Sequence, residues 1–432
     1  MSPLKKISSV LLSDSFSSFI NVSSSSLVGL SIAYFSLNTL GAEVFGLWAL
    51  LVMLFSFALI AEQAIGLPII RMVKIDDKVK NFHILSSSLL PILLFSLLIF
   101  VFSLLFNQIF LDRIENIILS TKNDYLILPF LTFVLFISLI GTTLSSFLIG
   151  FKKLYLSNYI KSFSRFIQLL VLLILFKLNF SFWALVLSIS SYYFLTFFFC
   201  LITTLRHFKV ANSLINQSIF FEQWTIGLKL INARFFGLFG DPFIKFSLGA
   251  LVGLQSVAFF EICLKITASI SQIPTLVFSG KVPLFKEYIE MKSSYIEVKN
   301  LFKSLDLYTL IYTLFSFLVS FIFIELVLDF FFKEKFDISV ITVFFMLLLT
   351  LLFSSFFTSR IYFLITQGDG NTSFYAYLTQ SFILLISITA IYIFIDIKTI
   401  IILTAAYCLS HISSSILILI RYQSSLKTLK VS

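Results

Sequence analysis

Charged residues are scarce in this chain, and few prolines or glycines interrupt it. Only 12% of the 432 residues are Asp, Glu, Lys or Arg, too few to cover a soluble protein of this length. Seven prolines and fourteen glycines leave long apolar stretches intact, and the mean hydropathy is +1.04. Cys200, Cys263 and Cys408 lack the spacing of a metal site, so they are interpreted as small buried residues and no metal is expected.

Signatures of soluble catalysis are missing as well. There is no GxxxxGK[ST] phosphate loop, and the loops between apolar stretches are too short to hold a catalytic or nucleotide-binding domain. We therefore expect neither enzymatic activity nor a cofactor. No convincing signal peptide precedes the first apolar stretch, which is expected to be retained. The net charge of +10 is attributed to loops and a few intramembrane cations, so no nucleic-acid partner is expected.

What the chain does contain is a series of apolar stretches of about 20 residues, the length that crosses the hydrocarbon core of a bilayer. Twelve stretches qualify and predict an all-α membrane protein with about twelve transmembrane helices. They are residues 17–37, 45–70, 84–110, 125–148, 154–176, 180–205, 226–252, 255–278, 307–331, 338–364, 373–395 and 399–420.

The distribution of Lys and Arg predicts the orientation of these spans, because basic residues accumulate in cytoplasmic loops. With both termini on the inner side, the inner loops hold 18 Lys and Arg residues and the outer loops hold 6. Both termini are therefore expected in the cytoplasm, with the protein in a bacterial inner membrane.

The sequence also repeats itself at a lag of roughly 210 residues. Residues 36–47 resemble residues 247–257, and residues 145–168 resemble residues 362–383. The repeat predicts two parallel six-helix bundles around a central cavity, with an N-terminal lobe at residues 1–210 and a C-terminal lobe at residues 211–432. Transporters built from such repeats work by alternating access.

Several short segments resemble the pattern of a known family. The family is that of Wzx-type O-antigen flippases, in the polysaccharide transporter family of the multidrug/oligosaccharidyl-lipid/polysaccharide superfamily. The segments that carry the resemblance are Leu40–Gly41, Phe45–Trp48, Gly66–Pro68, Arg71 and Pro283–Phe285. The resemblance implies flipping of an undecaprenyl-diphosphate-linked oligosaccharide, a unit of O-antigen or lipopolysaccharide biosynthesis, to the periplasmic leaflet. It further implies membrane lipid, a polysaccharide polymerase and a chain-length regulator as partners.

Cations inside the predicted spans are candidate ligands for such a diphosphate. A charge at mid-bilayer costs about 2.5–3.5 kcal/mol, so these side chains are expected to face a polar lumen or each other. The candidates are Lys161 and Arg165 in span five, and Lys229 and Arg234 in span seven. Guanidinium and ammonium groups bind phosphate oxygens through charge-assisted hydrogen bonds. The alternative is that these long side chains snorkel to the lipid headgroups.

Two further features of the spans have a structural interpretation at least as good as a functional one. Two pairs of opposite charges have i,i+4 spacing and can neutralise each other within the membrane. The pairs are Asp241 with Lys245, and Glu261 with Lys265. A kink is predicted in span seven, either static or a hinge between inward- and outward-facing states. The residues behind it are Gly237, Gly240 and Pro242.

Three other functions stay open at this point. A cation-coupled multidrug exporter of the same superfamily would need intramembrane carboxylates, but the predicted spans hold seven cations against three anions well inside them, Glu62, Asp241 and Glu261. A lipid II flippase shares the anionic cargo. A membrane enzyme of polysaccharide assembly, such as a polymerase, would need a larger periplasmic loop than any here. The sequence specifies neither the sugar nor the energy source.

Overall fold

The fold consists of helices throughout the part of the chain that the structure describes. This structure is a computed structural model, described for residues 14–55, 65–74, 77–114, 126–209, 216–279, 295–333, 336–366, 371–395 and 399–431. No strand occurs in these ranges. A helix satisfies its own backbone hydrogen bonds, which is what a lipid environment demands. The all-α class predicted from the sequence is confirmed.

Twelve α-helices with defined bounds, numbered here α1 to α12, are found within the described residues, in addition to a helical stretch at residues 65–72. The first six are α1 Asp14–Leu40, α2 Ala42–Val52, α3 Lys78–Ile114, α4 Ile127–Gly150, α5 Leu154–Lys177 and α6 Phe182–Leu205. The second six are α7 Gln217–Leu251, α8 Leu254–Ser279, α9 Tyr295–Phe332, α10 Ile338–Thr366, α11 Asn371–Phe394 and α12 Ile400–Val431.

Ten of these helices are long and apolar enough to cross a membrane, so the chain is a multi-pass membrane protein. They coincide with ten of the twelve predicted spans. Predicted span two starts with α2 and continues as a 3-10 turn at Met53–Phe55 and a helical stretch at residues 65–72, and the residues between these lie outside the description. Predicted span seven is α7, whose 35 residues are ample in length but carry several charges.

The described residues divide into two compact units. The N-terminal unit falls within Met1–Val44 and Leu51–Asn232, and the C-terminal unit within Phe45–Leu50 and Ala233–Ser432. The main division thus lies inside α7, whereas the sequence predicts a lobe boundary at residue 210. A short piece of α2 joins the second unit because it packs against the start of α8, as shown by the contact between Gly46 and Leu254.

The same pattern of helix neighbours occurs in both units, offset by six helices. In the N-terminal unit α4 packs against α3 and α6, while α5 packs against α6. In the C-terminal unit α10 packs against α9 and α12, while α11 packs against α12. The contact of α1 with α5 has its counterpart in α7 and α11, where the Phe236 and Phe374 ring centroids lie 5.9 Å apart. This repeated packing supports the duplication predicted from the sequence.

Two glycines at equivalent joints add to the evidence for the repeat. Gly41 follows α1 with a φ of +89°, and Gly253 lies between α7 and α8 with a φ of +120°. The N–H of Gly41 donates to the carbonyl of Leu37 at 3.0 Å, and the N–H of Gly253 donates to the carbonyl of Leu248 at 2.9 Å. Only glycine adopts this backbone region without strain. Each of these glycines therefore ends the helix before it and lets the next helix begin at the following residue.

Some helices reach further than the apolar stretches predict. The helix α9 starts at Tyr295, twelve residues before the predicted span, and α12 continues to Val431. These extensions contain polar residues that favour helix without being apolar, so a hydropathy pattern does not detect them. Pro283–Phe285, quoted above for the family resemblance, lie outside the described residues.

Candidate functional site

The four cations proposed as diphosphate ligands lie on two helices. Lys161 and Arg165 are on α5 in the N-terminal unit, one turn apart on the same face. Lys229 and Arg234 are on α7, and their backbone is helical. The side chains of Lys229 and Arg234 lie outside the described part of the structure, so only the α5 pair can be examined at atomic detail.

Arg165 lies about halfway along α5, eleven residues from its first residue. At 1.5 Å per residue this is about 16 Å along the helix axis, or near the middle of a hydrocarbon core of about 30 Å. Snorkelling to the headgroups is easiest near a helix end. The mid-helix position of Arg165 therefore favours a polar path over snorkelling as the reason for this charge.

The guanidinium group of Arg165 is held by an aromatic ring rather than by an acid. Its Cζ lies 4.7 Å from the centroid of Tyr192, a buried side chain on α6. Its Nε is buried without a hydrogen-bond partner, and no carboxylate among the described residues lies within ion-pair distance of it. Arg165 thus carries a positive charge that the described surroundings do not neutralise.

Magnitudes decide whether the tyrosine alone stabilises this arginine. A cation–π contact contributes about 0.5–2 kcal/mol. A charge at the helix centre costs about 2.5–3.5 kcal/mol on the lenient insertion scale. The contact with Tyr192 offsets only part of that cost, and an anion bound to the guanidinium would offset the rest.

The start of α5 is fixed in place by polar contacts with α1. The side-chain amide of Asn158 donates to the hydroxyl oxygens of Ser17 and Ser18, both at 3.1 Å. The backbone N–H of Tyr155 donates to the carboxylate of Asp14 at 3.2 Å. Lys161 lies one turn further along α5. These contacts fix the helix that carries Lys161 and Arg165.

The C-terminal unit contains a charged network that the i,i+4 spacing only partly predicts. Glu261 on α8 is buried and receives two lysines: Lys265 Nζ lies 2.7 Å from its Oε1, and Lys245 Nζ lies 2.6 Å from its Oε2. The expected pair of Glu261 with Lys265 is therefore present. Lys245 on α7 makes its ion pair with Glu261 on α8. It does not pair with Asp241, which lies one turn earlier on α7, because the packing of α7 against α8 brings Glu261 within reach.

Asp241 is engaged by a partner that sequence spacing does not reveal. The hydroxyl of Tyr407 on α12 donates to Asp241 Oδ1 at 2.7 Å, across 166 residues. On the same face of α12, the His411 ring packs against Tyr407 at a tilt of 57° with centroids 4.4 Å apart, and His411 hydrogen-bonds Gln380 on α11 at 2.9 Å. Two acids and two lysines share this region, so its formal charges cancel.

The glycine- and proline-containing part of α7 lies beside this network. The helix is continuous through Pro242, and a Cβ added at Gly240 would lie 3.2 Å from the side-chain amide of Gln380. One turn earlier, the hydroxyl of Ser381 donates to the carbonyl of Phe236 at 2.7 Å. Side chains that bond to helix carbonyls, like proline, accompany bends. The hinge at Gly237, Gly240 and Pro242 stays a prediction, and Gly237 is described only by its backbone.

Arg360 on α10 shows how a buried arginine is paired with an acid in this chain, although its Nε, like that of Arg165, has no hydrogen-bond partner. Its guanidinium donates to Asp306 Oδ2 at 2.7 Å and to the carbonyl of Phe356. Its Cζ also lies 5.4 Å from the ring centroid of Tyr422 and 5.6 Å from that of Phe302. This arginine joins α9, α10 and α12. The contrast with Arg165, which has a ring but no acid, identifies Arg165 as the better candidate for a ligand.

We expect removal of the Glu261 carboxylate to destabilise the C-terminal unit. Glu261→Gln leaves two ammonium groups without their shared anion, and loss of one partner of a buried ion pair costs about 3–5 kcal/mol. The unfolding temperature of the detergent-solubilised protein should fall sharply. It should recover in part when Lys245→Met removes one of the two cations. Glu222→Gln, at an exposed position on α7, is the control, and equal unfolding temperatures for the two glutamine variants would contradict the network.

No protein-family model matches the sequence, and no curated protein matches it. Solved structures do match. An inward-facing conformation of a multidrug resistance MATE family transporter of the MOP superfamily superposes with a TM-score of 0.72 and 13% identity, over 95% of this chain and 96% of that chain. An outward-facing conformation of a MATE family transporter gives 0.64 and 14%, over 98% and 96%.

A second kind of transporter has the same fold. The lipid II flippase MurJ, in an inward closed conformation, superposes with a TM-score of 0.67 and 13% identity, over 97% of this chain and 90% of that chain. Identities this low show the fold alone, and the resemblance to O-antigen flippases stays a prediction. This chain therefore has the fold shared by MATE transporters and the flippase MurJ.

Proposed function

We propose that this protein flips an undecaprenyl-diphosphate-linked oligosaccharide, a unit of O-antigen or a related surface polysaccharide, from the cytoplasmic to the periplasmic leaflet. The polar headgroup would pass along a cationic path by alternating access while the lipid tail stays in the bilayer. Arg165 leads the substrate-binding residues, with Lys161, Lys229 and Arg234 as the other candidates. The proposal includes a bacterial inner membrane with both termini in the cytoplasm.

The observation that carries this proposal is the sign of the charge left over in the described helices. In the C-terminal unit Glu261 is shared by two lysines, whereas Arg165 in the N-terminal unit makes no ion pair with a described carboxylate. A guanidinium without an acid partner attracts an anion. A diphosphate has the charge and the oxygen geometry that a guanidinium binds. The fold shared with a lipid II flippase is consistent with a lipid-linked cargo.

Export of cationic drugs is the second candidate, because the fold is equally that of MATE transporters. One residue favours it. Asp241 is exposed and its only described hydrogen bond leaves one carboxylate oxygen open, so it could bind a cation. Against this stands the neighbouring Lys245, whose positive charge lies one turn away and repels a second cation.

Depletion of the protein in its native cell distinguishes these functions. We expect loss of surface polysaccharide and accumulation of a lipid-diphosphate oligosaccharide that remains inaccessible to membrane-impermeant reagents from the periplasm. A periplasmic polymerase and its chain-length regulator would be deprived of their substrate. Unchanged surface polysaccharide together with new sensitivity to cationic drugs would support the exporter instead.

A reporter fused at Lys292 should be cytoplasmic and one at Lys122 periplasmic.

A further inference from the structure

A cluster of cations converges on one histidine at an end of the N-terminal unit, away from Arg165. Lys153 follows α4 in the turn to α5, and Arg206 and His207 follow the end of α6. Lys153 Nζ lies 3.2 Å from His207 Nε2, and Arg206 Nε donates to the same nitrogen at 3.3 Å. Because Nε2 accepts from Arg206, it carries no proton. Lys78, at the first position of α3, is brought to this end of the unit by its carbonyl, which accepts from the N–H of Lys209 just after His207.

The backbone around the cluster is fixed by hydrogen bonds and packing. The buried amide of Asn81 donates to the carbonyl of Lys74 at 2.7 Å and to that of His207 at 3.4 Å. The N–H of Lys209 donates to the carbonyl of Lys78 at 3.2 Å, which joins the end of α6 to the start of α3. The His207 ring packs against Phe151 at a tilt of 30°, with centroids 4.3 Å apart. The cations are therefore held together by the fold and do not converge by chance motion of long side chains.

Repulsion within the cluster is not relieved by acids in the described part of these segments. Asp77 accepts from the N–H of Lys80 at 2.9 Å and Asp14 accepts from the N–H of Tyr155, and neither carboxylate makes an ion pair with a described cation. No ion pair to Lys78, Lys153 or Arg206 is present among the described residues. Burial, and then the charges of Lys153, Arg206 and Lys78, lower the pKa of His207. Burial and the charge of Arg206 lower the pKa of Lys153.

An apolar stripe on α6 leads directly to these cations. Phe198, Ile202 and Leu205 are 53%, 51% and 54% exposed, and their spacing of four and three residues places them on one helix face. Val79, next to Lys78, is 41% exposed. Cations at the end of an apolar, outward-facing stripe match the chemistry of a lipid, with a phosphate at one end and acyl chains along the other. A free phosphate would make no use of the stripe.

We propose that Lys78, Lys153 and Arg206, arranged around His207, bind the phosphate of an anionic membrane lipid whose acyl chains lie along the exposed face of α6. This site is separate from the path proposed for the cargo, and it does not depend on what the protein transports. Arg206 and Lys78 are exposed and can reach a headgroup, while Lys153 and His207 form the base of the site. The bound phosphate supplies the negative charge that the cluster lacks.

Native mass spectrometry of the full-length protein, titrated with phosphatidylglycerol or phosphatidylcholine, tests this site. We expect the wild type to retain phosphatidylglycerol in preference to phosphatidylcholine. Arg206→Gln and Lys78→Gln each remove one charge-assisted hydrogen bond and should weaken phosphatidylglycerol binding about tenfold. Both change exposed side chains, so folding should be preserved, which an unchanged unfolding temperature without lipid verifies. Lys177→Gln, at the opposite end of α5, is the matched control.

Three results would overturn the proposal. Phosphatidylglycerol binding could be the same in Arg206→Gln, Lys78→Gln and the wild type. The control Lys177→Gln could lose as much binding as the cluster variants, which would indicate a diffuse charge effect. Inorganic phosphate could protect the wild type against unfolding, and not the cluster variants, while phosphatidylglycerol fails to bind. That last result would identify a site for free phosphate instead of a lipid.

Discussion

Cells in which Arg165 is replaced by alanine should lose their surface polysaccharide while keeping the protein at its normal level in the membrane. The guanidinium makes a cation–π contact with Tyr192 and no ion pair with a described acid, so alanine removes a ligand without leaving a carboxylate unpaired. One lost charge-assisted hydrogen bond to a diphosphate costs about 1.5–3 kcal/mol, or a fall in transport of about 10- to 100-fold. Surface polysaccharide is measured by gel electrophoresis of whole-cell extracts.

Two further substitutions at position 165 separate charge from geometry. Arg165→Lys should rescue transport only in part, because an ammonium group cannot bind two phosphate oxygens in the plane of a guanidinium. Arg165→Glu should be worse than alanine, since it repels the diphosphate. The matched control is Lys177→Ala, which removes a cation from the last turn of the same helix and should leave the polysaccharide intact. Normal polysaccharide in both the alanine and glutamate variants would show that Arg165 is not a ligand.

The second large effect is expected at Gly46, where alanine should destabilise the C-terminal unit. A Cβ at this position would lie 1.9 Å from the carbonyl oxygen of Leu254 and 2.8 Å from its carbon. These are backbone atoms at the start of α8, and no rotamer change can move them aside. Overpacking of this kind costs about 1–3 kcal/mol or more. The unfolding temperature of the purified Gly46→Ala protein should therefore drop by several degrees, which thermal denaturation measures.

Gly29 provides the control for this substitution within the same chain. A Cβ added at Gly29 on α1 meets nothing within 4 Å. Because alanine favours helix over glycine by about 1 kcal/mol, Gly29→Ala should leave the unfolding temperature unchanged or raise it. If Gly46→Ala is as stable as Gly29→Ala, α2 and α8 do not approach as closely as the structure places them.

Much of the fold follows from the sequence, because lipid imposes a simple rule on helix length. Ten of the twelve predicted stretches correspond to described helices long and apolar enough to cross a membrane, and an eleventh is α7, whose charges reduce its hydropathy. The repeat is weak in sequence and clear in packing. Gly41 and Gly253 occupy equivalent joints with positive φ, a backbone requirement that a sequence match between Leu-rich segments does not prove.

One of the segments quoted for the family resemblance has a packing role in the structure. Phe45–Trp48 is notable in the sequence only as a match to a pattern. In the fold, Gly46 is the point of close approach between α2 and α8, where any larger residue would collide with Leu254. A single sequence does not distinguish such a glycine from Gly29, because both lie in apolar helices.

The polar contacts were predictable only where they are local. The pair of Glu261 with Lys265 follows from i,i+4 spacing, but Lys245 reaches Glu261 from another helix and Tyr407 reaches Asp241 from 166 residues away. Helix packing sets these distances, and spacing along one helix does not encode it. The convergence of Lys153 and Arg206 on His207 was missed for the same reason. The distribution of Lys and Arg predicts that the loops holding Lys153 and Arg206 lie on the same side of the membrane, but it does not predict that these residues lie beside each other or beside His207.

Transport by the purified protein in proteoliposomes is the most direct test of an anionic, lipid-linked cargo. The vesicles would contain a labelled undecaprenyl-diphosphate oligosaccharide, and its arrival in the opposite leaflet would be followed with a membrane-impermeant reagent. We predict flipping well above the rate in protein-free vesicles, and a rate close to that background for Arg165→Ala. Flipping no faster than in protein-free vesicles, in a preparation that moves a cationic dye against its gradient, would contradict the proposed function.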